Sequence, residues 1–173
     1  MNATVAAIQV VIALAFVSIP VIRARWGAAA QSAAEAELTR QGVPTTVLAE
    51  NKLRFDAGGH ETAAPASIAA VLVALAALNL FGSPLGETLT WILQPLIILI
   101  NGAILYSQLT AVRAVESAFA KKGDPMLLRI DVPAFLTAAE KAFPSWVFPS
   151  AQNVRHVIAF AGSAAVLVLL AIN

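Results

Sequence analysis

The chain contains no cysteine, and only 12% of its 173 residues are charged. Without thiols it can build no disulfide framework, thiolate zinc site, iron–sulfur cluster or c-type haem attachment, and it has no cysteine nucleophile. Redox compartment is therefore unreadable from it. The charged fraction is far below the ~25% of an ordinary soluble domain. A formal net charge of +1 offers no dense basic surface to neutralise phosphates, which argues against a nucleic-acid partner. There is no glycine-rich phosphate loop, no HExxH and no GxSxG. No nucleophile–base pair stands out, so no catalytic, cofactor-binding or metal-binding residue is nominated.

What is present is apolar. Hydrophobic residues make up 59% of the chain, and the mean hydropathy is +0.79. The expectation is an all-α integral membrane protein, a single domain over residues 1–173 with spans at about 4–22, 65–81, 88–112 and 154–172. Each span approaches the ~30 Å of hydrocarbon at ~1.5 Å per residue. The first resembles a signal peptide, but it lacks a basic leading region and its arginines follow the apolar run, so it is read as an uncleaved anchor. Pro20 is expected to bend or end it near the headgroups. None of the spans carries Asp, Glu, Lys or Arg near its centre. That absence weighs against a pump or an ion-coupled exporter, which needs a titratable group in the membrane.

Charge supports four spans. All eleven Lys and Arg fall in the segments about 23–64 and 113–153 or at their edges, five from Arg23 to Arg54 and six from Arg113 to Arg155. The beginning of the chain, the turn GSPLGE and the end of the chain have none. By the positive-inside rule both loops are cytoplasmic and both termini lie outside a bacterial plasma membrane. Trp26, Trp91 and Trp146 are expected as interface anchors, with Phe143 and Phe148 beside Trp146 in an inner aromatic belt.

The two loops read as short helices joined by turns. AAAQSAAEAELTRQG either continues the first span or starts afresh on a capping box at Ser32 and Glu35, Gly27 being the obvious breaker. VLAENKLRF forms a second short helix. AVRAVESAFAKKG continues the third span into the cytoplasm and stops at Lys121, Lys122 and Gly123. DVPAFLTAAEKAF places Val132, Phe135, Leu136, Ala139 and Phe143 at helical spacing and is expected to lie along a surface. Asp124 and Asp131 read as a helix stop and an N-cap rather than a carboxylate pair.

The third span carries the one patterned polar feature. Gln94, Asn101 and Gln108 recur every seven residues, with Glu87 extending the series, and a seven-residue step drifts only ~20° around a helix. An amide among lipid tails lacks hydrogen-bond partners, so this seam should face protein or water. Packing within the bundle is the plainest reading, contact with another membrane subunit the second and a polar permeation path the third. Pro95 is expected to kink this span, because it denies the carbonyl of Trp91 its partner. Ala66, Ala70 and Ala74 on the second span have the four-residue spacing that lets helices approach closely. His60 and His156, the two histidines, are expected at the inner boundary, with no role as haem ligands. His156 and Arg155 together suit anionic lipid headgroups at the cytoplasmic face.

In its size, four spans, charge-free outer side and Ala-rich, Lys-poor texture, the chain resembles the small accessory membrane subunits of actinobacterial respiratory chains. Most of all it is similar to the association factor of the cytochrome bcc–aa3 supercomplex. That resemblance implies a non-catalytic, cofactor-free subunit, itself no enzyme, packed against haem-containing membrane subunits and steadying their association. The alternative is a small transporter or channel subunit that oligomerises to build its path.

Overall fold

The computed structural model describes residues 2–172, apart from the side chains of His60 and Glu61; the expectation for His60 thus lies outside the described residues. Among the described residues all regular structure is helical. The helices are α1 (Asn2–Arg40), α2 (Thr46–Glu50), α3 (His60–Leu80), α4 (Pro84–Leu109), α5 (Ala111–Lys122), α6 (Val132–Lys141) and α7 (Gln152–Ala171). Four of them, α1, α3, α4 and α7 with the turn before it, are long and apolar enough to cross a membrane.

These four close a ring in which α1 packs on α3, α3 on α4, α4 on α7 and α7 on α1. Their shared core is Ile12, Ala13, Phe16, Ala69, Leu72, Ile97 and Ala159. Small residues set the closest approaches. A Cβ on Gly86 would lie 2.8 Å from Leu78 Cβ across the α3–α4 hairpin, and one on Gly162 would lie 3.0 Å from Ile12. Ala66, Ala70 and Ala74 are not part of this. All three are exposed, and the packed face of α3 is Pro65, Ala69, Leu72, Ala76 and Asn79 instead. Here Leu72 and Leu75 supply apolar area that alanines cannot, and burying them turns the alanine row outward.

Helix α1 is one unbroken helix of 39 residues that passes through Pro20 and Gly27. Ser32 and Glu35 therefore form no capping box. Gly27 is not a breaker but a crossing point, since a Cβ there would stand 2.6 Å from the carbonyl oxygen of Phe55. Residues 54–56 lie against α1 at this place and are tied on both sides of the glycine. Arg23 Nε donates to the Asp56 carbonyl and Arg23 Nη2 to the Arg54 carbonyl, each at 3.0 Å. One turn beyond the glycine, Gln31 Oε1 accepts from the Phe55 amide at 3.0 Å. Positions 23, 27 and 31 are spaced by four and so share one helix face.

The far half of α1 builds a second core. Ala30, Ala34 and Leu38 pack with Val47 and Leu48 of α2, Phe119 of α5 and Val132, Phe135 and Ala139 of α6. The apolar face of α6 is thus buried against its own chain, not laid along an open surface. The two loop segments together form a helical cap on one end of the bundle. Its turns follow local chemistry. Gly123 at φ +66° closes α5, Asp131 Oδ1 accepts from the Ala134 amide at 3.0 Å as the N-cap of α6, and Asp124 Oδ1 accepts from Met126 N at 2.8 Å. The helix expected to run from the third span through Lys122 is divided at Thr110, whose φ of −109° and ψ of 6° leave the helical region. Trp26 and Trp146 meet edge to face at 5.7 Å at this end, as do Phe143 and Phe148 at 5.4 Å; Trp91 is exposed on α4 towards the opposite end.

Candidate functional site

The polar residues of the bundle gather into a column between α4 and its neighbours. At the hairpin end, Asn79 Nδ2 donates to Gln9 Oε1 at 2.9 Å and to Thr90 Oγ1 at 2.8 Å. Gln9 Nε2 also donates to Thr90 Oγ1 at 3.2 Å, and the Thr90 hydroxyl donates to the Gly86 carbonyl at 2.7 Å. Three helices are joined by three buried side chains. One turn further along α4, Gln94 Nε2 donates to Ser163 Oγ of α7 at 2.8 Å.

The last group lies nearest the cap. His156 on α7 sets Nδ1 3.0 Å from Asn101 Oδ1 and Nε2 2.8 Å from Gln108 Oε1. Gln152 Nε2 donates to the same Gln108 oxygen. A neutral imidazole carries one N–H, so it donates to one oxygen only. With that proton on Nε2 towards Gln108, the Asn101 amide satisfies Nδ1 by turning its NH2 to the ring, an orientation indistinguishable in shape. This also relieves Asn101 Nδ2, which as placed has no partner among the described residues, as is true of Gln94 Oε1.

Gln94, Asn101 and Gln108 are therefore all turned onto α7 of the same chain. Gln94 and Asn101 are 0% and 2% exposed. Glu87 does not extend the series: it is exposed, and Thr90 takes the buried polar position at that end. The seven-residue spacing found one side of the column and missed the other. Gln9, Asn79 and Ser163 are each single polar residues in apolar runs, and that isolation was the available signal. Gln152 stands at the start of α7, where it read as part of a loop.

The column holds amides, hydroxyls and one imidazole. Among the described residues of the column there is no carboxylate, and His156 is its one titratable side chain. Among the described residues no three His, Asp or Glu side chains stand close enough to hold a metal ion. What this chemistry does is fasten helices, at ~0.6 kcal/mol on average and up to ~1.7 for each interhelical hydrogen bond in lipid.

Outside the bundle, the loop against α1 carries a bidentate ion pair. Arg54 donates to both carboxylate oxygens of Asp56, from Nε at 3.1 Å and Nη2 at 2.7 Å, and Gly58 N donates to Oδ1 at 3.1 Å. The Arg54 contact holds the Asp56 carboxyl below the usual carboxylate range, aided by the Gly58 amide and the charge of Arg23.

No family model matches this chain, and neither the curated proteins nor the solved structures include a significant match to it.

Proposed function

We propose that this chain is a non-catalytic subunit of a larger membrane assembly, held against its neighbours by α3. The observation that carries this reading is the outward face of α3. Ala63, Ala66, Ala70, Ala74 and Ala77 are all exposed there, a smooth strip nearly one turn apart at each step. Helices in lipid associate through close packing over small residues, since apolar burial alone gives no preference for protein over lipid tails. The polar column supports the same reading, because its amides are engaged within the chain and leave the outer faces apolar.

The orientation we propose puts the cap in the cytoplasm of a bacterial cell and the termini with the α3–α4 turn outside its plasma membrane. It is supported by the confinement of all eleven Lys and Arg to the segment between Arg23 and Arg54 and that between Arg113 and Arg155. The resemblance to actinobacterial accessory subunits supplies the candidate assembly, a cytochrome bcc–aa3 respiratory supercomplex whose haem-containing subunits the chain would brace.

The test is purification of the tagged chain in mild detergent. Haem-containing partners are expected to co-migrate, and Ala70→Trp should release them while leaving the unfolding temperature of the isolated chain unchanged. A chain that migrates alone sinks the proposal.

A further inference from the structure

Where the bundle meets the cap, a cavity of about 380 Å³ opens among α1, α4, α5, α6 and α7. Its lining combines apolar and basic side chains. Ile19 and Ile22, the last residues of the apolar run of α1, line it together with Phe143 and Val147. Arg23 follows Ile22 directly, and Arg155 precedes the apolar stretch of α7, so the guanidinium groups enter at the level where both helices turn polar. Gln108 and Gln152 add amides to the wall.

Charge in this cavity is one-sided. Arg23, Arg54 and Arg155 line it against the single carboxylate of Glu140, with Asp56 on Arg54 outside the wall. Arg23 and Arg54 are used in fastening the loop to α1, as described. Arg155 is different: it is half-buried, and none of the described residues accepts a hydrogen bond from it or forms an ion pair with it. A guanidinium removed from bulk water calls for an anionic acceptor, and its fork matches phosphate oxygens.

We infer that the cavity is a binding site for the phosphate headgroup of an anionic membrane lipid, with Arg155 as its anchor. The phosphate accepts from the Arg155 guanidinium, the Gln108 and Gln152 amides border the headgroup, and an acyl chain leaves along Ile19 and Ile22. The shared chemistry with a soluble phosphate is the oxyanion; the apolar half of the lining is what favours a lipid. This site is independent of whether the chain has protein partners.

The experiment uses the purified full chain in phosphatidylcholine nanodiscs, with thermal unfolding followed by circular dichroism as phosphatidylglycerol is added. The unfolding temperature is expected to rise with the anionic lipid. Arg155→Gln should need about tenfold more of it for the same rise, the value of one hydrogen bond to a charged group. Arg155→Lys, which keeps the charge but loses the fork, should fall between the wild type and Arg155→Gln. Ala111→Phe fills the cavity without touching a charge and should lose the response as well. Arg129→Gln, an exposed charge of the cap outside this cavity, should keep it. Equal losses in the Arg155 and Arg129 variants, or no rise at all, overturn the site. An Arg155-dependent rise with inorganic phosphate in pure phosphatidylcholine overturns the lipid assignment in favour of a soluble anion.

Discussion

Asn101 of α4 and His156 of α7 meet at 3.0 Å between Oδ1 and Nδ1, both buried in the interior of the bundle. This contact joins the third and fourth long helices where no backbone hydrogen bond can. Around it, Gln108 and Gln152 complete a group of four side chains drawn from two helices.

Replacing Asn101 by Leu leaves His156 Nδ1 without a partner in a place that water does not reach. The expected outcome is a loss of about 1–2 kcal/mol in unfolding free energy. Titration with a denaturing detergent in mixed micelles measures it. Stability equal to the wild type would show that the pair does not hold α4 to α7.

The Gln9, Asn79 and Thr90 group should behave as a unit. Gln9→Leu and Asn79→Leu each remove a donor that the other residues use, so the double variant should lose less than the two single losses added together. A coupling of about 0.5–1.5 kcal/mol is expected from a double-mutant cycle. Strict additivity would mean that the three side chains act separately.

Gly27→Ala places a methyl group 2.6 Å from the Phe55 carbonyl oxygen, and backbone must move to admit it. The segment held by Arg23 and Gln31 should loosen while the bundle stays folded. Limited trypsin digestion reads this directly, because Lys52 and Arg54 lie in that segment. Cleavage there is expected to quicken about tenfold, the equivalent of ~1.4 kcal/mol in local opening. An unchanged rate would contradict the close crossing.

Asp56→Asn tests the loop electrostatics through pH. The folded state depresses the Asp56 carboxyl, so its contribution is fully present above the unfolded value near ~3.9 and fades as pH falls through the lower folded value. Chemical denaturation should find the variant less stable at neutral pH, by less than ~1 kcal/mol for so exposed a pair. The gap should close in acid. A gap that widens as pH falls would reverse the assigned sign.

Much of the bundle was legible because lipid imposes a simple demand: long apolar runs must be helices, and lone amides must find partners. The spans, the seam on α4, the Gly123 stop and the Asp131 cap follow from that demand and from local backbone chemistry. The cap was harder to read. Val132, Phe135 and Ala139 announced an amphipathic helix, but the same pattern suits a membrane surface and a protein core, and only the far half of α1 decides between them. Gly27 left the course of α1 open for a related reason. Local propensity reads glycine as a break, whereas here the missing Cβ serves a strand of loop that lies 28 residues further on, at Phe55. The alanine row on α3 announced a surface for close helix approach but not its azimuth, since spacing alone does not say which face a helix turns inward.

The unbroken course of α1 has one more consequence. A single rod of 39 residues, about 58 Å long at 1.5 Å per residue, contributes Ile12 and Phe16 to one core and Ala34 and Leu38 to the other. The two cores are therefore locked in phase. One residue inserted between Phe16 and Ala30 would turn the cap by about 100° against the bundle, and the two hydrophobic faces could no longer both be met. Away from the crossing at Gly27 and its tie at Arg23, side chains along this stretch can be exchanged, but its length can change only in steps close to whole turns.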